Sequence, residues 1–173
     1  TTVAATPLEN GSFDNWSSEA ANNGTLWMPW TTTEFWDTGN KGATTIGDSN
    51  STPTDETCNG SGKAASLQTK WVVLKLAAGN IFTGTYVKTD GTNGILSFGR
   101  PFTSFPTKLR IHYKYTSSTI NRIGDDDMEH LRGKADSCHI YIALTDWDQP
   151  YEIRTRPEKR QLFNKSDSHV IAY

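Results

Sequence analysis

Between residues 108 and 115 the chain alternates without a break. Leu109, Ile111, Tyr113 and Tyr115 fall on one side, and Lys108, Arg110, His112 and Lys114 on the other. Period two is the repeat of a β-strand with one buried face. Pro106 before the segment and a Ser/Thr run after it bound the strand. Residues 137–147 repeat the pattern, with Cys138, Ile140, Ile142 and Leu144 on one face and His139, Tyr141, Ala143 and Thr145 on the other. Both faces are fairly apolar, which predicts a strand running through the middle of a sheet.

Further strands are predicted over 64–76, as one long strand or a pair, and over 81–87, 95–102 and 169–173. A Gly79-Asn80 turn follows the first of these. The run Thr89-Asp90-Gly91-Thr92-Asn93-Gly94 reads as a hairpin connection, rich in residues that tolerate positive φ. Two segments break the rhythm. Residues 31–62 hold almost no alternation and are long for a structureless loop, so they are either functional or pinned by the sheet faces. Residues 121–134, with Asp125, Asp126, Asp127, Met128, Glu129 and His130, read as a short helix or an exposed excursion. Many short strands with frequent turns predict an all-β sandwich or barrel and not βαβ units.

The length of 173 residues fits one β-sandwich domain over 1–173 and can bury a core without disulfides. With 17 basic against 19 acidic residues and no basic stripe, nucleic acid is not an expected partner. The longest apolar run, 71–78, is interrupted by Lys75 and is far too short to span a membrane. The abundance of Thr, Ser, Asn and Gly suggests an extracytoplasmic setting, with any leader or lipid anchor outside this sequence. Six N-x-S/T triplets, at Asn10, Asn15, Asn23, Asn50, Asn59 and Asn164, are expected by chance in such a composition. Cys58 lies in a polar loop and Cys138 opens an apolar strand that should be buried, so two free thiols are favoured over a bridge.

Six Trp raise the question of a ligand. Sugar rings present apolar C–H faces that pack on aromatic planes, while their hydroxyls need polar groups close by. Trp30, Trp36 and Asp37 beside the irregular segment, and Trp147 and Asp148 after a strong strand, carry that chemistry and are the candidate ligand-binding residues. Each Trp is also an ordinary core residue. A glycosidase would need two carboxylates flanking a bond, one with a raised pKa. Asp125 to Asp127, Glu129, Asp136, Asp146, Asp148 and Glu152 are all available, and nothing singles out a pair. No metal-site His spacing or nucleophile elbow is present. No catalytic residue is assigned and no cofactor is required.

The string Leu8-Glu9-Asn10-Gly11-Ser12-Phe13-Asp14-Asn15-Trp16 resembles the entry of galactose-binding-like jelly rolls, where such oxygens hold a structural calcium. That resemblance makes Glu9, Asn10 and Asp14 candidate metal ligands, short of the six to eight oxygens calcium takes. The alternative is that they close turns. Taken with Trp36-Asp37-Thr38-Gly39-Asn40, Ala78-Gly79-Asn80-Ile81-Phe82-Thr83-Gly84, Phe98-Gly99-Arg100-Pro101-Phe102 and 136–144, in this order, the chain resembles the PCMD family of carbohydrate-metabolism domains on Bacteroidetes surface lipoproteins.

The resemblance implies a jelly-roll sandwich and a cell-envelope location, at the outer-membrane surface or in the periplasm, without a membrane span. Family members continue past the equivalent of Tyr173 with further strands. A missing C-terminal segment or a protein partner is therefore expected to complete the sheet. The leading expectation is a carbohydrate-binding or glycan-handling module without established catalysis. The alternatives are a structural or protein-interaction module of a surface complex and, behind it, a glycoside hydrolase.

Overall fold

A computed structural model describes residues 7–73 and 75–173. The fold is all-β, built from short antiparallel sheets with only short helical segments, and the described strands form no closed barrel. β1 (Ser17–Ala20) and β2 (Thr25–Met28) make a first hairpin. β3 (Trp36–Asp37) is followed by a one-turn helix α1 (Asn40–Ala43). β4 (Ser51–Thr54) pairs with β5 (Ala64–Leu67), and β6 (Lys70–Val72) with β7 (Lys75–Ala77). β8 (Phe82–Asp90) and β9 (Asn93–Phe98) form the longest hairpin. β10 (Leu144–Thr145), β11 (Tyr151–Arg154) and β12 (Val170–Ala172) complete the set. The main sheet has four strands in the order β11-β9-β8-β3, and β10 pairs with β12.

The main sheet follows directly from the sequence. Phe82, Gly84 and Tyr86 alternate on the inner face of β8, and Leu96 of β9 and Ile153 of β11 join them. Phe82, Tyr86, Leu96 and Ile153 form the buried apolar cluster, with Phe98, Tyr151 and Phe163 packed against it. Burying each such side chain contributes about 1.5–3 kcal/mol. Gly84 is required where it stands: its φ is +138°, and a Cβ there would lie 2.0 Å from the Ser97 carbonyl oxygen. The hairpin expected at 89–94 turns through Gly91 and Thr92, between the paired Asp90 and Asn93, with Gly91 at φ +65°.

A second, polar knot ties the small sheets together. Asn40 is 1% exposed. Its Nδ2 donates to the carbonyls of Trp27 and Ser51, and its Oδ1 accepts from the backbone N–H groups of Asn50 and Ser51. Asn50 Nδ2 donates to the carbonyls of Ala77 and Ala78, and Ser51 Oγ donates to that of Asn80. Segment 31–62 is therefore pinned, with β3, α1 and β4 inside it.

Three strand expectations need correction. The span 64–76 is divided among β5, β6 and β7, with Leu74 outside the described residues. Residues 108–115 form no ladder, and neither of their faces is buried; Tyr113 is 70% exposed. Of 137–147 only Leu144 and Thr145 pair, and Cys138 is exposed, as is Cys58; both thiols are free. The two segments meet at a single bridge between Thr119 and Ala135, extended by Asp136 N–H donating to the Ser118 carbonyl. There the ladder stops. The Ser117 hydroxyl donates to the Asp136 carbonyl at 2.8 Å, the acceptor that the next backbone N–H would need. The excursion between the segments contains a 3-10 turn over Asp126–Leu131, started by Asp125 Oδ1 accepting from the Asp127 N–H.

Candidate functional site

The loop 146–150 is held from both sides. Asp146 N–H donates to the His169 carbonyl, and His169 Nδ1 lies 2.8 Å from Asp146 Oδ1. This fixes Trp147 over Tyr151, the first residue of β11, with ring centroids 4.6 Å apart and planes at 20°. Phe163 meets Trp147 edge-on at 6.1 Å and 83°.

From Phe163 the aromatic contacts continue outward. Tyr173 stacks on it at 6.2 Å and 16°, and Tyr141 at 5.6 Å and 29°. Tyr141 and Tyr173 lie 5.3 Å apart, and His139 lies 4.8 Å from Tyr141. Tyr173 Oη and His139 Nε2 are hydrogen-bonded at 2.9 Å, and Lys165 Nζ sits 5.5 Å from the Tyr173 ring centre. Burial, reinforced by the neighbouring Tyr173, pushes the Tyr141 hydroxyl above its ordinary value. Tyr141 and Tyr173 remain 38% and 51% exposed. The result is one continuous aromatic surface, partly open to solvent. Its polar rim includes His139, Lys165 and the Asp146–His169 pair, and the exposed Asp148 and Gln149 follow Trp147 in the chain.

The five candidate ligand-binding residues do not form one site. Trp147 belongs to the aromatic surface, and Asp148 is its exposed neighbour in the chain. Trp36 lies on β3 at the opposite edge of the main sheet. Tyr151 is opposite Phe98 and Phe98 opposite Gly84, while Trp36 is opposite Thr83. Three interstrand steps separate the edges, about 14 Å at ordinary strand spacing. Gly84 and Thr83 are consecutive and so face opposite ways, which puts Trp36 on the other face from Tyr151. Trp36 packs edge-on against Phe13 and Phe35, and its Nε1 donates to the Glu9 carbonyl.

Asp37 is 1% exposed and structural. Its Oδ1 accepts from Thr38 N–H, and its Oδ2 accepts from Tyr86 N–H and from Lys41 Nζ. Burial alone would lower the Lys41 pKa, yet the ion pairs with Asp37 and Glu34 leave it raised. Trp30 is half-buried; its Nε1 is enclosed without a partner, and its carbonyl accepts from Ser17 Oγ.

The candidate calcium ligands close turns. Asn10 Oδ1 accepts from Asn15 N–H, and its Nδ2 donates to the carbonyls of Asn15 and Pro29. Asp14 Oδ1 accepts from Lys63 N–H, and the Ser12 hydroxyl and that N–H together hold the Asp14 carboxyl below its ordinary value. Glu9 contributes its carbonyl to Trp36. Asn10 Oδ1 and Asp14 Oδ1 are thus engaged in bonds that shape the loop. Among the described residues no group of three His, Cys, Asp or Glu side chains could hold a metal ion.

Several of the candidate carboxylates are held in salt bridges. Asp125 pairs with Arg160, Glu129 with Arg132 and Glu152 with Arg154. These arginine hydrogen bonds lower the pKa values of Asp125 and Glu129. A glycosidase acid needs the opposite shift. Sequence reading missed Tyr141, Tyr151, Phe163 and Tyr173. They come from four separate segments, and only Trp147 flanked by Asp146 and Asp148 gave a local signal.

Fold and site together define an all-β domain that presents an aromatic surface with a polar rim. The chain belongs to the PCMD family, described as "Putative carbohydrate metabolism domain", whose family model matches residues 10–173. No curated protein and no solved structure matches the chain.

Proposed function

We propose that this domain is a carbohydrate-binding module of an exported cell-envelope lipoprotein, built as a β-sandwich of the jelly-roll, galactose-binding-like kind. The observation that carries the reading is the run of touching aromatic rings from Trp147 through Phe163 to Tyr141 and Tyr173, with two of the rings open to solvent. A sugar ring lays its C–H face on such a plane and loses little polar hydration in doing so. Its hydroxyls then find acceptors in Asp148 and Gln149 and donors in Lys165 and Gln149. Membership of a carbohydrate-metabolism family points the same way.

The carboxylates with resolved shifts, Asp14, Asp48, Asp125, Glu129 and Glu158, are all lowered. None of them has the raised pKa of a glycosidic acid. Binding in this reading needs no cation and no cofactor. Among the described residues no helix is long and apolar enough to cross a membrane, and the attachment proposed here is a lipid anchor.

The test is tryptophan fluorescence titrated with a panel of plant, microbial and host glycans. A saturable change that disappears in Trp147→Phe, with Trp36→Phe unaffected, supports the reading. A panel without any saturable change contradicts it.

A further inference from the structure

Beyond the bridge between Thr119 and Ala135, the two segments that alternate most regularly in the sequence separate into the walls of a cleft. Leu109, Ile111 and Tyr113 line one wall, and Cys138, Ile140, Ile142 and Leu144 the other. Two adjoining cavities of about 260 and 400 Å³ lie between them and share Leu109. These apolar side chains are open to solvent: Leu109, Ile111, Ile140 and Ile142 are each between 37% and 48% exposed.

The backbone tells the same story. Among the described residues, neither 102–116 nor 137–143 makes a backbone–backbone hydrogen bond. A row of unpaired N–H and C=O groups beside an apolar groove is the template for strand addition, because an incoming strand satisfies both at once.

Charge selects the strand. The other face of 108–115 carries Lys108, Arg110, His112 and Lys114, and among the described residues only Lys114 of these has an acidic partner, Glu56. Residues directly opposite on neighbouring strands share a face, and opposite charges there attract while like charges repel. A second copy adding through this same edge would set cations against cations.

We propose that residues 108–115 accept a strand from a partner protein whose residues alternate between apolar and acidic. Its apolar side chains enter the cleft over Leu109, Ile111 and Tyr113, and its carboxylates pair with Lys108 and Arg110. An eight-residue strand spans roughly 26 Å, the length of the 108–115 edge. The cleft meets the aromatic surface at Tyr173, which lines one of its cavities, and strand addition at 108–115 needs no sugar.

The probe is a blocked, fluorescent eight-residue peptide alternating valine and glutamate, followed by anisotropy. Saturable binding is expected, about tenfold tighter than for the valine–lysine peptide of the same length. N-methylation of one alternate set of peptide amides should abolish binding, and of the other set should be tolerated. In Lys108→Glu/Arg110→Glu, two exposed changes whose fold is checked by circular dichroism, the preference should invert toward the lysine peptide. Failure of both peptides to bind the wild type would overturn the proposal. So would indifference to both methylation patterns, or a preference unmoved by the charge reversal. A dimer in light scattering that Ile111→Glu dissociates would replace the partner strand with a second copy.

Discussion

Asn40 and Ser51 hold each other by two hydrogen bonds that run in opposite directions. Asn40 Nδ2 donates to the Ser51 carbonyl at 2.6 Å, and Ser51 N–H donates to Asn40 Oδ1 at 3.0 Å. The side-chain amide thus stands in for a neighbouring strand. It caps the edge of β4 that faces away from β5, and both residues are buried.

Replacement of Asn40 should therefore be among the most damaging single changes. Asn40→Ala leaves the backbone groups of Trp27, Asn50 and Ser51 without their partner. A destabilisation of about 3–5 kcal/mol is expected, each orphaned buried group costing about 1–3 kcal/mol and the costs overlapping. Asn40→Asp should be no better, since a carboxylate cannot donate to Trp27 and Ser51 and would bury a charge. Urea denaturation of the two variants checks both; a loss under about 1 kcal/mol would show that the knot is not cooperative.

Acid should weaken the first hairpin. Asp48 Oδ1 accepts from Thr25 N–H at 3.1 Å and Ser49 N–H at 2.7 Å, and these bonds hold its pKa below the ordinary aspartate value of 3.8. A depressed folded pKa means the stabilisation is complete above the unfolded value and is lost as pH falls through the folded one. Unfolding free energy should decline below about pH 4, and Asp48→Asn should flatten part of that decline. Equal slopes for wild type and variant would remove Asp48 from the explanation.

Chelation should leave stability alone. Asn10 and Asp14 close the 8–16 loop with hydrogen bonds to Asn15, Pro29 and Lys63. The melting temperature in excess EDTA is expected to equal that in added calcium. A rise with calcium would mean that this loop rearranges around the ion.

Both cysteines should titrate without denaturant. Cys58 and Cys138 are exposed and unpaired. A colorimetric thiol assay on the native protein should count two reactive groups, and a count of one would place Cys138 under cover.

The central sheet was legible because pattern and neighbours agree there. The alternation of Phe82, Gly84 and Tyr86, and the glycine turn at Asp90–Asn93, identify β8 and β9 without further information. The alternation over 108–115 is stronger, yet no described strand pairs with it. Period two reports which side chains share a face; it does not report whether a neighbouring strand exists. The Ser117 hydroxyl donates to the Asp136 carbonyl where the pairing ends.

Asp37 shows the converse. A carboxylate beside a Trp has the chemistry of a sugar contact, but Tyr86 N–H, 49 positions away, and Lys41 claim it for the interior. Long-range contacts of that kind decide between ligand and scaffold, and spacing along the chain does not carry them. The aromatic surface was half legible for the same reason: Trp147 announces itself, while Phe163 and Tyr173 acquire meaning only when the fold brings them together.

The most direct measurement of the carbohydrate-binding claim is calorimetric titration of wild type, Trp147→Ala, Tyr173→Ala and Trp36→Ala with the tightest glycan of a panel. The account predicts that loss of Trp147 or Tyr173 weakens binding by about tenfold or more, and that loss of Trp36 changes affinity by less than about twofold. Binding that survives both aromatic deletions in the surface, or that fails only with Trp36, would contradict it.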